Sequence, residues 1–508
     1  MPSQILERVV EVAVLSVAAW PAIAPCASAA FRRAFPGLAL RLAGVVVAYA
    51  VGIALLAAFA PIGLVRGAAA AAVVAMVAVL WHSGVARGRT HGWPPGSLRP
   101  FALGPWTRQD FFSDQSRRLG STFKTSQFLR PTACLVGLSA GSEFFRQHDD
   151  VLVSPPWSFG RFIPGGFLRH MPRERHAEAK QVLRLAMARE VYELHEAFIR
   201  DQFRQELARM AHASAGTGVP PRRHIQRAVF SIWVRLFFGI DPASAERARL
   251  KTLYRVIDIR NPSSASDRQI RGAVAEIVAI ARGHRDDGHS AGAGAGSFLE
   301  ALARSSPASV DDPTIMGNLA YILHTTWADV SGLLQWIARM LTDHGQWADR
   351  LRLPAHADSA HEGGALSLST RVVMETLRLE QSEYLYRATT SDIPHGGMVI
   401  PKGWLVRLCV RESHQDPAVF EHAQTFDPDR FLHRSFTRRE YAPFGAGLRH
   451  ACLGEDLTKT VGGIFAEELA RGYHWQSVAD GPAEHSAWRH WRPSSAWRIV
   501  LTPRGGSA

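Results

Sequence analysis

Cysteine is scarce in this chain of 508 residues. Cys26, Cys134, Cys409 and Cys452 are its only four, they lie far apart in sequence, and no CxxC pair occurs. That spacing excludes a disulfide-framed secreted scaffold and a cysteine-based structural zinc site, and it fits a reducing, cytosol-facing compartment. None of the 22 histidines falls in an HExxH pair, which argues against a helix-borne zinc hydrolase. His170, His414 and His422 read as surface or loop residues. The glycine run Gly292-Ala293-Gly294-Ala295-Gly296 lacks the Lys-Ser/Thr of a phosphate loop and reads as a linker. No internal repeat and no flavin, nicotinamide or nucleic-acid-binding motif is evident.

What is present is a globular balance, 20% charged and 47% hydrophobic, with 58 Lys and Arg against 45 Asp and Glu. A net charge of +13 suits an anionic membrane face together with an acidic protein partner, or simply a soluble basic surface.

Three uncharged stretches open the chain, Val12 to Phe31, Leu42 to Val65 and Gly67 to Ala86. Each reaches the roughly 20 residues a helix needs to cross a bilayer. Arg32, Arg33 and Arg41 follow the first stretch, only Arg66 follows the second, and Arg87 and Arg89 follow the third. The positive-inside rule then predicts an integral membrane protein, N-terminus out, with the long remainder cytoplasmic. Two other readings stay open: the first stretch as a cleaved signal peptide, and the Ala-rich third stretch lying in the interface. The expected organisation is a membrane anchor over 1–91, a Pro/Gly hinge over 92–100 around Trp93-Pro94-Pro95-Gly96, and a catalytic domain over 101–508.

The body reads as mainly α with minor β. A small hairpin is expected over Phe123 to Val136, and helical runs over Arg173 to Glu206, Asp312 to Leu351, Leu368 to Leu379 and Glu455 to Arg471. Strand-like pieces follow at Met398 to Ile400 and Leu405 to Val410. Loops are expected at Ser214 to Arg222, Gly288 to Ser297 and Leu353 to Gly364.

The most informative segment is Phe444-Gly445-Ala446-Gly447-Leu448-Arg449-His450-Ala451-Cys452-Leu453-Gly454, which leads straight into a helix. Glycines let a backbone fold closely around a bulky flat ligand. A thiolate at a helix N-terminus is stabilised by the dipole and by free N–H groups, and Arg449 and His450 offer charge for cofactor carboxylates. The residues themselves allow either a ligating thiolate or a buried cysteine under a turn.

This stretch resembles the cysteine-ligand loop of the cytochromes P-450, FxxGxRxCxG. Further segments match in order. Glu375-Thr376-Leu377-Arg378 looks like the family's ExxR helix, and Phe426-Asp427-Pro428-Asp429-Arg430-Phe431 looks like its FxPxRF segment. Arg387 matches a strand arginine, and His176-Ala177-Glu178-Ala179-Lys180 resembles HxxxR with Lys in place of Arg. The resemblance covers roughly Gly92 to Leu501. It implies a cytochrome P-450 fold preceded by transmembrane helices, and haem b (iron protoporphyrin IX) with Cys452 as its axial iron ligand. It also implies a buried triad of Glu375, Arg378 and Arg430. His450, Arg449, His176, Lys180 and Arg387 would serve the propionates, with Phe444, Gly447 and Gly454 around the sulfur.

Two departures from the family pattern matter. The span from Phe444 to Cys452 is one residue longer than usual, so either Arg449 or His450 keeps the propionate role. In the long helix, where the family carries an acid followed by Thr, this chain reads Thr325-Thr326-Trp327-Ala328-Asp329-Val330-Ser331-Gly332. One alignment puts Asp329 on the acid. Another, anchored on Trp336, puts Asp329 on the Thr. Asp329, or Ser331 with a water, is the expected proton donor. Trp327, the turn at Pro493-Ser494-Ser495 and the loop Ser154 to Leu168 are expected around the substrate.

The implied function is a monooxygenase that takes electrons from a separate ferredoxin or flavoprotein reductase and oxidises a lipophilic natural-product or lipid-like molecule. The alternatives are a haem-thiolate isomerase, dehydratase or peroxide-using enzyme, and a non-catalytic helper. Gly137-Leu138-Ser139-Ala140-Gly141 matches the GxSxG hydrolase elbow, but a placed Asp and His are missing. The Ala/Gly/Arg-rich composition points to a GC-rich bacterial genome.

Overall fold

The computed structural model describes residues 92–98, 108–127, 130–155, 162–257, 266–286, 296–353, 366–382, 385–446, 451–485 and 490–505. The three expected membrane spans lie outside these residues. Among the described residues no helix is long and apolar enough to cross a membrane.

Helix α1 (Phe111–Leu119) leads into the hairpin β1 (Thr122–Gln127) and β2 (Arg130–Leu135), followed by α2 (Leu138–Gln147) and β3 (Leu152–Val153). A helical half follows: α3 (Arg173–Ala186), α4 (Arg189–Leu194), α5 (Glu196–Ser214), α6 (Arg222–Phe238), α7 (Ala245–Val256), α8 (Asp267–Asp286), α9 (Phe298–Ser305), α10 (Pro313–Asp343), α11 (Gly345–Arg352) and α12 (Leu368–Leu379). The chain then returns to strands β4 (Leu385–Thr389), β5 (Ile393–His395), β6 (Met398–Ile400) and β7 (Leu405–Leu408). The short helices α13 (Val410–Ser413) and α14 (Arg430–His433), the helix α15 (Glu455–Gly472) and the hairpin β8 (Tyr473–Ala479) and β9 (Arg498–Pro503) complete it.

The expected mainly helical fold is what forms, and the hairpin, α12 and α15 fall where the pattern puts them. Two long runs are divided. Arg173 to Glu206 becomes α3, α4 and the start of α5, and the run from Asp312 breaks at His344, whose backbone (φ −128°, ψ 62°) leaves the helical region. Helix starts follow local capping chemistry. The Asp312 side chain accepts from the Thr314 N–H at 2.7 Å ahead of Pro313, Ser367 caps α12, and Ser297 with Glu300 forms a capping box on α9.

The main sheet runs β1-β2-β7-β4-β3, with β2 and β7 parallel and the other neighbours antiparallel. Its pairing joins residues remote in sequence, Leu135 to Leu408 and Arg387 to Val406. The Pro/Gly segment expected as a hinge is stitched to this sheet. The Pro95 carbonyl accepts from the Lys124 N–H at 2.7 Å, Gly92 accepts from Val399, and the Trp93 ring meets Trp404 edge-on at 5.0 Å.

Helix α10 runs through the larger core, contacting α6, α8, α12 and α15. Close approach there depends on Gly462 of α15. A Cβ at Gly462 would come within 2.9 Å of Val373 and 3.4 Å of Ile337. Overpacking a core of native density costs roughly 1–3 kcal/mol. Gly462→Leu should therefore lower the urea unfolding free energy by about that amount. Gly472→Ala, where nothing lies within 4 Å, should change it by less than about 0.5 kcal/mol.

Candidate functional site

The site is built on an ion triad held under complete burial. Glu375 and Arg378, one helical turn apart on α12, are inaccessible to solvent, and Arg430 at the start of α14 is 8% exposed. Arg378 donates Nε to one Glu375 oxygen at 2.7 Å and an Nη to the other at 2.8 Å, and Arg430 Nε reaches the same carboxylate at 2.9 Å. The remaining Arg378 donors go to the His414, Ala423 and Thr425 carbonyls, so all its N–H groups are satisfied. Arg430 spends its other donors on Glu421 and Thr425, and the Asp427 N–H completes the carboxylate. The three expected triad residues are thus brought together.

His414 ties this triad to the cysteine loop. The sequence reading placed it on the surface or in a loop, but it is fully buried. Its Nε2 accepts from the Ala442 N–H and its Nδ1 pairs with Ser382 Oγ, both at 3.0 Å, while its ring stacks on Tyr441 at 5.1 Å. The Tyr441 hydroxyl returns to the Met374 carbonyl on α12 at 2.8 Å. A neutral ring is required because Nε2 is an acceptor. Burial, then the Arg378 charge, push its pKa down to about 3, against a weaker opposing hydrogen bond. Nothing local in the sequence marks it; the signal lies in partners 28 to 36 residues away. Of the other two histidines, His422 is exposed, whereas His170 is half-buried, with a pKa lowered to about 3 by burial, then by Arg169 and Arg387.

From Ala442 the chain turns through Gly445 (φ +100°), a conformation that favours glycine, and returns at Cys452. The Cys452 N–H donates to the Phe444 carbonyl at 2.9 Å, so the loop closes on itself despite its extra residue. Cys452 is exposed just before α15, and the Gly454 N–H points to its sulfur at 3.3 Å. The Phe444 ring is buried, with the Lys459 ammonium 5.8 Å from its centre. Gly447, Arg449 and His450 lie outside the described residues.

One further expected residue reaches the loop. His176 is buried on α3, and Lys180, one turn later, donates Nζ to the Ala451 carbonyl at 2.9 Å. Burial, then Arg184, lower the Lys180 pKa, and Cys452 opposes them. Arg387, buried on β4, donates to the Tyr386 carbonyl at 2.7 Å. Cys134 and Cys409, distant in sequence, meet across β2 and the end of β7 as hydrogen-bonded buried thiols, and burial pushes the Cys409 thiol up.

The middle of α10 carries the second part of the site. Residues 315–324 and 330–338 are buried, yet 325–329 are all half-buried. Five successive residues exceed one turn of 3.6, so the partial exposure reaches every face of the helix there, although α6 still packs on Trp327. Asp329 lies in this open turn. Ser331 is fully buried and about 200° around the axis from it, so the two do not share a face. Thr325 and Thr326 direct their hydroxyls to the Ile322 carbonyl. Trp327 does not stand free toward a substrate. Its indole N–H donates to the Gln226 carbonyl at 2.9 Å and its ring lies 4.7 Å from Phe230, because a half-buried indole takes a partner for its N–H. Upstream, Asn318 accepts from Leu168 N–H and donates to the Gly166 and Thr314 carbonyls, pinning the end of the loop before α3 onto α10. Phe162 and Phe167 pack their rings on Tyr321. Trp491 and Trp497 are buried packing residues, and Trp488 lies outside the described residues.

The sequence profile of the family described as Cytochrome P450 matches residues 356–486. The abscisic acid 8'-hydroxylase 2 of Oryza sativa subsp. indica is 26% identical over 436 residues, 77% of this chain and 83% of that protein. The taxane 13-alpha-hydroxylase of Taxus cuspidata is 24% identical over 408 residues, 75% and 83% of the two chains. Among solved structures, a retinoic acid bound cyanobacterial CYP120A1 superposes with a TM-score of 0.64 at 18% identity, covering 79% of this chain and 96% of its own. A zebra fish cytochrome P450 with progesterone gives 0.60 at 18%, covering 77% and 98%.

Two outcomes follow from the triad and its histidine. Glu375→Gln removes the charge that two buried guanidinium groups face. It should cost roughly 3–5 kcal/mol, read as a lowered denaturation midpoint or loss of soluble protein. For His414 the unfolded ring protonates near 6.5 and the folded ring only near 3, so between these values the unfolded state holds the extra proton. Stability should be undiminished by this group above pH 6.5 and fall by up to about 1.4 kcal/mol per pH unit below it. Urea unfolding of wild type and His414→Gln at pH 7 and 5.5 checks this; the variant should show the shallower pH slope.

Proposed function

We propose that the chain is a cytochrome P450 monooxygenase in which Cys452 is the axial ligand of haem b, serving the oxidation of a lipophilic small molecule. The observation that carries this reading is the exposed Cys452 sulfur before α15, on a loop closed from Phe444 and bonded through His414 to the ion triad. The donors present fit the group. A thiolate there meets the Gly454 N–H and the positive end of the α15 dipole, and Lys180 and Arg387 are cations for propionate carboxylates. His176, with Arg449 and His450, completes the propionate set, and Phe444 and Gly454 flank the sulfur. When bound, the haem supplies dioxygen activation and the transfer of one oxygen atom.

The protein's own part is to bind, orient and protonate. The half-buried turn 325–329 of α10 offers space, and Phe162, Phe167 and Tyr321 supply aromatic packing beside it. Asp329 in that turn is the proton donor of this reading, while Ser331, buried on the other side of the helix, is left with packing. The relatives are named for a hydroxylation of abscisic acid and of a taxane, both terpenoid in chemistry, and a terpenoid-like substrate of secondary metabolism is the class we assign. Electrons come from a separate ferredoxin or flavoprotein reductase, toward which the net charge of +13 favours an acidic partner. On this reading residues 1–91 anchor the protein in a membrane, 92–100 is the hinge, and the catalytic domain 101–508 is cytoplasmic. The composition suits a bacterial source.

The Asp-Val-Ser sequence where the family places an acid and Thr favours one second reading, a haem-thiolate isomerase, dehydratase or peroxide-using enzyme. Two measurements decide. The carbon monoxide difference spectrum of the reduced, detergent-purified protein should show a thiolate-type band that Cys452→Ser abolishes. A histidine-type spectrum in both would sink the ligand assignment. Asp329→Asn should lower reductase-driven turnover about a hundredfold while leaving that spectrum in place. Unchanged turnover would move the second reading to the front.

A further inference from the structure

The open turn of α10 is held from outside the helix. The Ala328 carbonyl accepts from an Nη of Arg492 at 2.9 Å, and the Asp329 carbonyl accepts from Gln381 Nε2 at 2.8 Å. The amide orientation of Gln381 is fixed by chemistry, because only its NH2 can donate to a carbonyl. Both donors come from elements already fastened elsewhere. Gln381 stands three residues past Arg378, just beyond the end of α12, which carries two of the triad residues. Arg492 is held by paired backbone bonds to Glu484, at 2.9 and 3.0 Å, and its neighbour Trp491 accepts from Trp336 Nε1 on α10 at 2.8 Å. Both residues are buried, at 6% and 7% exposure.

Gly332 makes the approach possible. A Cβ at that position would lie 2.8 Å from Gln381 Oε1 and 3.5 Å from Arg492 Nε, so a larger residue displaces the amide. A helix carbonyl that already serves the N–H four residues on tilts outward when a second donor engages it. Two such donors on successive carbonyls act on the half-buried stretch of α10. Gln381 Oε1 is itself buried with no hydrogen-bond partner among the described residues, beside Gly332. The residue therefore satisfies the helix backbone before it satisfies itself, which sets it apart from a packing glutamine.

We propose that Gln381 and Arg492 are positioning residues of this P450, clamping the Ala328–Asp329 backbone through the gap left by Gly332 and so fixing where the Asp329 carboxyl is presented. This rests on the reading of Asp329 as the proton donor. It adds residues that touch neither the cofactor nor the substrate and act through the helix alone. It also couples the proton-donating turn to the triad, since Gln381 directly follows the helix that Glu375 and Arg378 immobilise.

The experiment is hydrogen–deuterium exchange by mass spectrometry on the full-length, haem-loaded, detergent-purified protein. Gln381→Leu, Arg492→Gln, Gly332→Ala and the conservative Arg492→Lys are compared with wild type. Peptides covering 325–336 should exchange about tenfold faster in the first three variants and near the wild-type rate in Arg492→Lys. Peptides covering Leu368–Leu379 should be unchanged in all four. Peroxide released per reducing equivalent, with a surrogate ferredoxin and its reductase, should rise severalfold in the first three, with an altered pH profile. Wild-type exchange over 325–336 in Gln381→Leu and Arg492→Gln overturns the clamp. Faster exchange with an unchanged pH profile overturns its positioning role and leaves only a structural one. If Gln381→Leu fails to load haem, Arg492→Gln against Arg492→Lys carries the same comparison. Asp329→Asn in the same assay separates the two levels: an unchanged pH profile there sinks the proton-donor reading, while the exchange result still decides the clamp.

Discussion

The carboxylate of Glu375 is the interaction on which most of this structure depends. It faces two guanidinium groups in a place with no access to water, where each ion has lost several kcal/mol of hydration. Such a cluster is tolerable only when every donor and acceptor is used. Arg378 achieves this by reaching three backbone carbonyls drawn from the segment between His414 and Thr425. The chain between the sheet and the cysteine loop is therefore shaped by the need to solvate one arginine with peptide groups. That requirement fixes the position of Arg430, which shares the Glu375 oxygen, and of His414, whose carbonyl serves Arg378 while its ring holds the Ala442 N–H.

From that centre the order of the molecule runs outward in two directions. One path goes through His414 and Tyr441 to the loop that closes from Phe444 to Cys452 and presents the sulfur ahead of α15. The other goes along α12 to Gln381 and onto the backbone of α10. The thiol and the acid-bearing turn of the central helix are thus referenced to the same buried helix. One rigid element serving both keeps the Cys452 loop and the Asp329 turn in register with each other.

Much of this was legible in local sequence. The glycine-spaced loop before Cys452, the i, i+3 pair Glu375 and Arg378, and the segment ending in Arg430 are short motifs that were read through their resemblance to those of the cytochromes P-450, and the structure brings the triad together. Helix limits were legible where a cap fixes them, as at Asp312 and Ser367, and less so where a run of uniform helical pattern is cut by tertiary packing, as at His344. The N-terminal stretches were read from hydropathy and charge, and the flanking Pro-Pro-Gly segment turned out to be bonded to β1 and β6.

What the sequence by itself determined is therefore the chemistry available: a cysteine in a glycine-rich loop before a helix, one carboxylate with two arginines, and an acid midway along the long helix. Only the tertiary structure decided how these are oriented. It turned Trp327 onto α6, buried His414, and brought Cys134 to Cys409 across the parallel pairing of β2 and β7. It also brought Gln381 and Arg492 onto the same turn from opposite ends of the last 130 residues. The physical reason is the same in each case. A motif is a set of neighbours whose geometry the backbone imposes, whereas these contacts join residues tens to hundreds of positions apart, and they form only after loops have closed and burial has forced each polar group to find a partner.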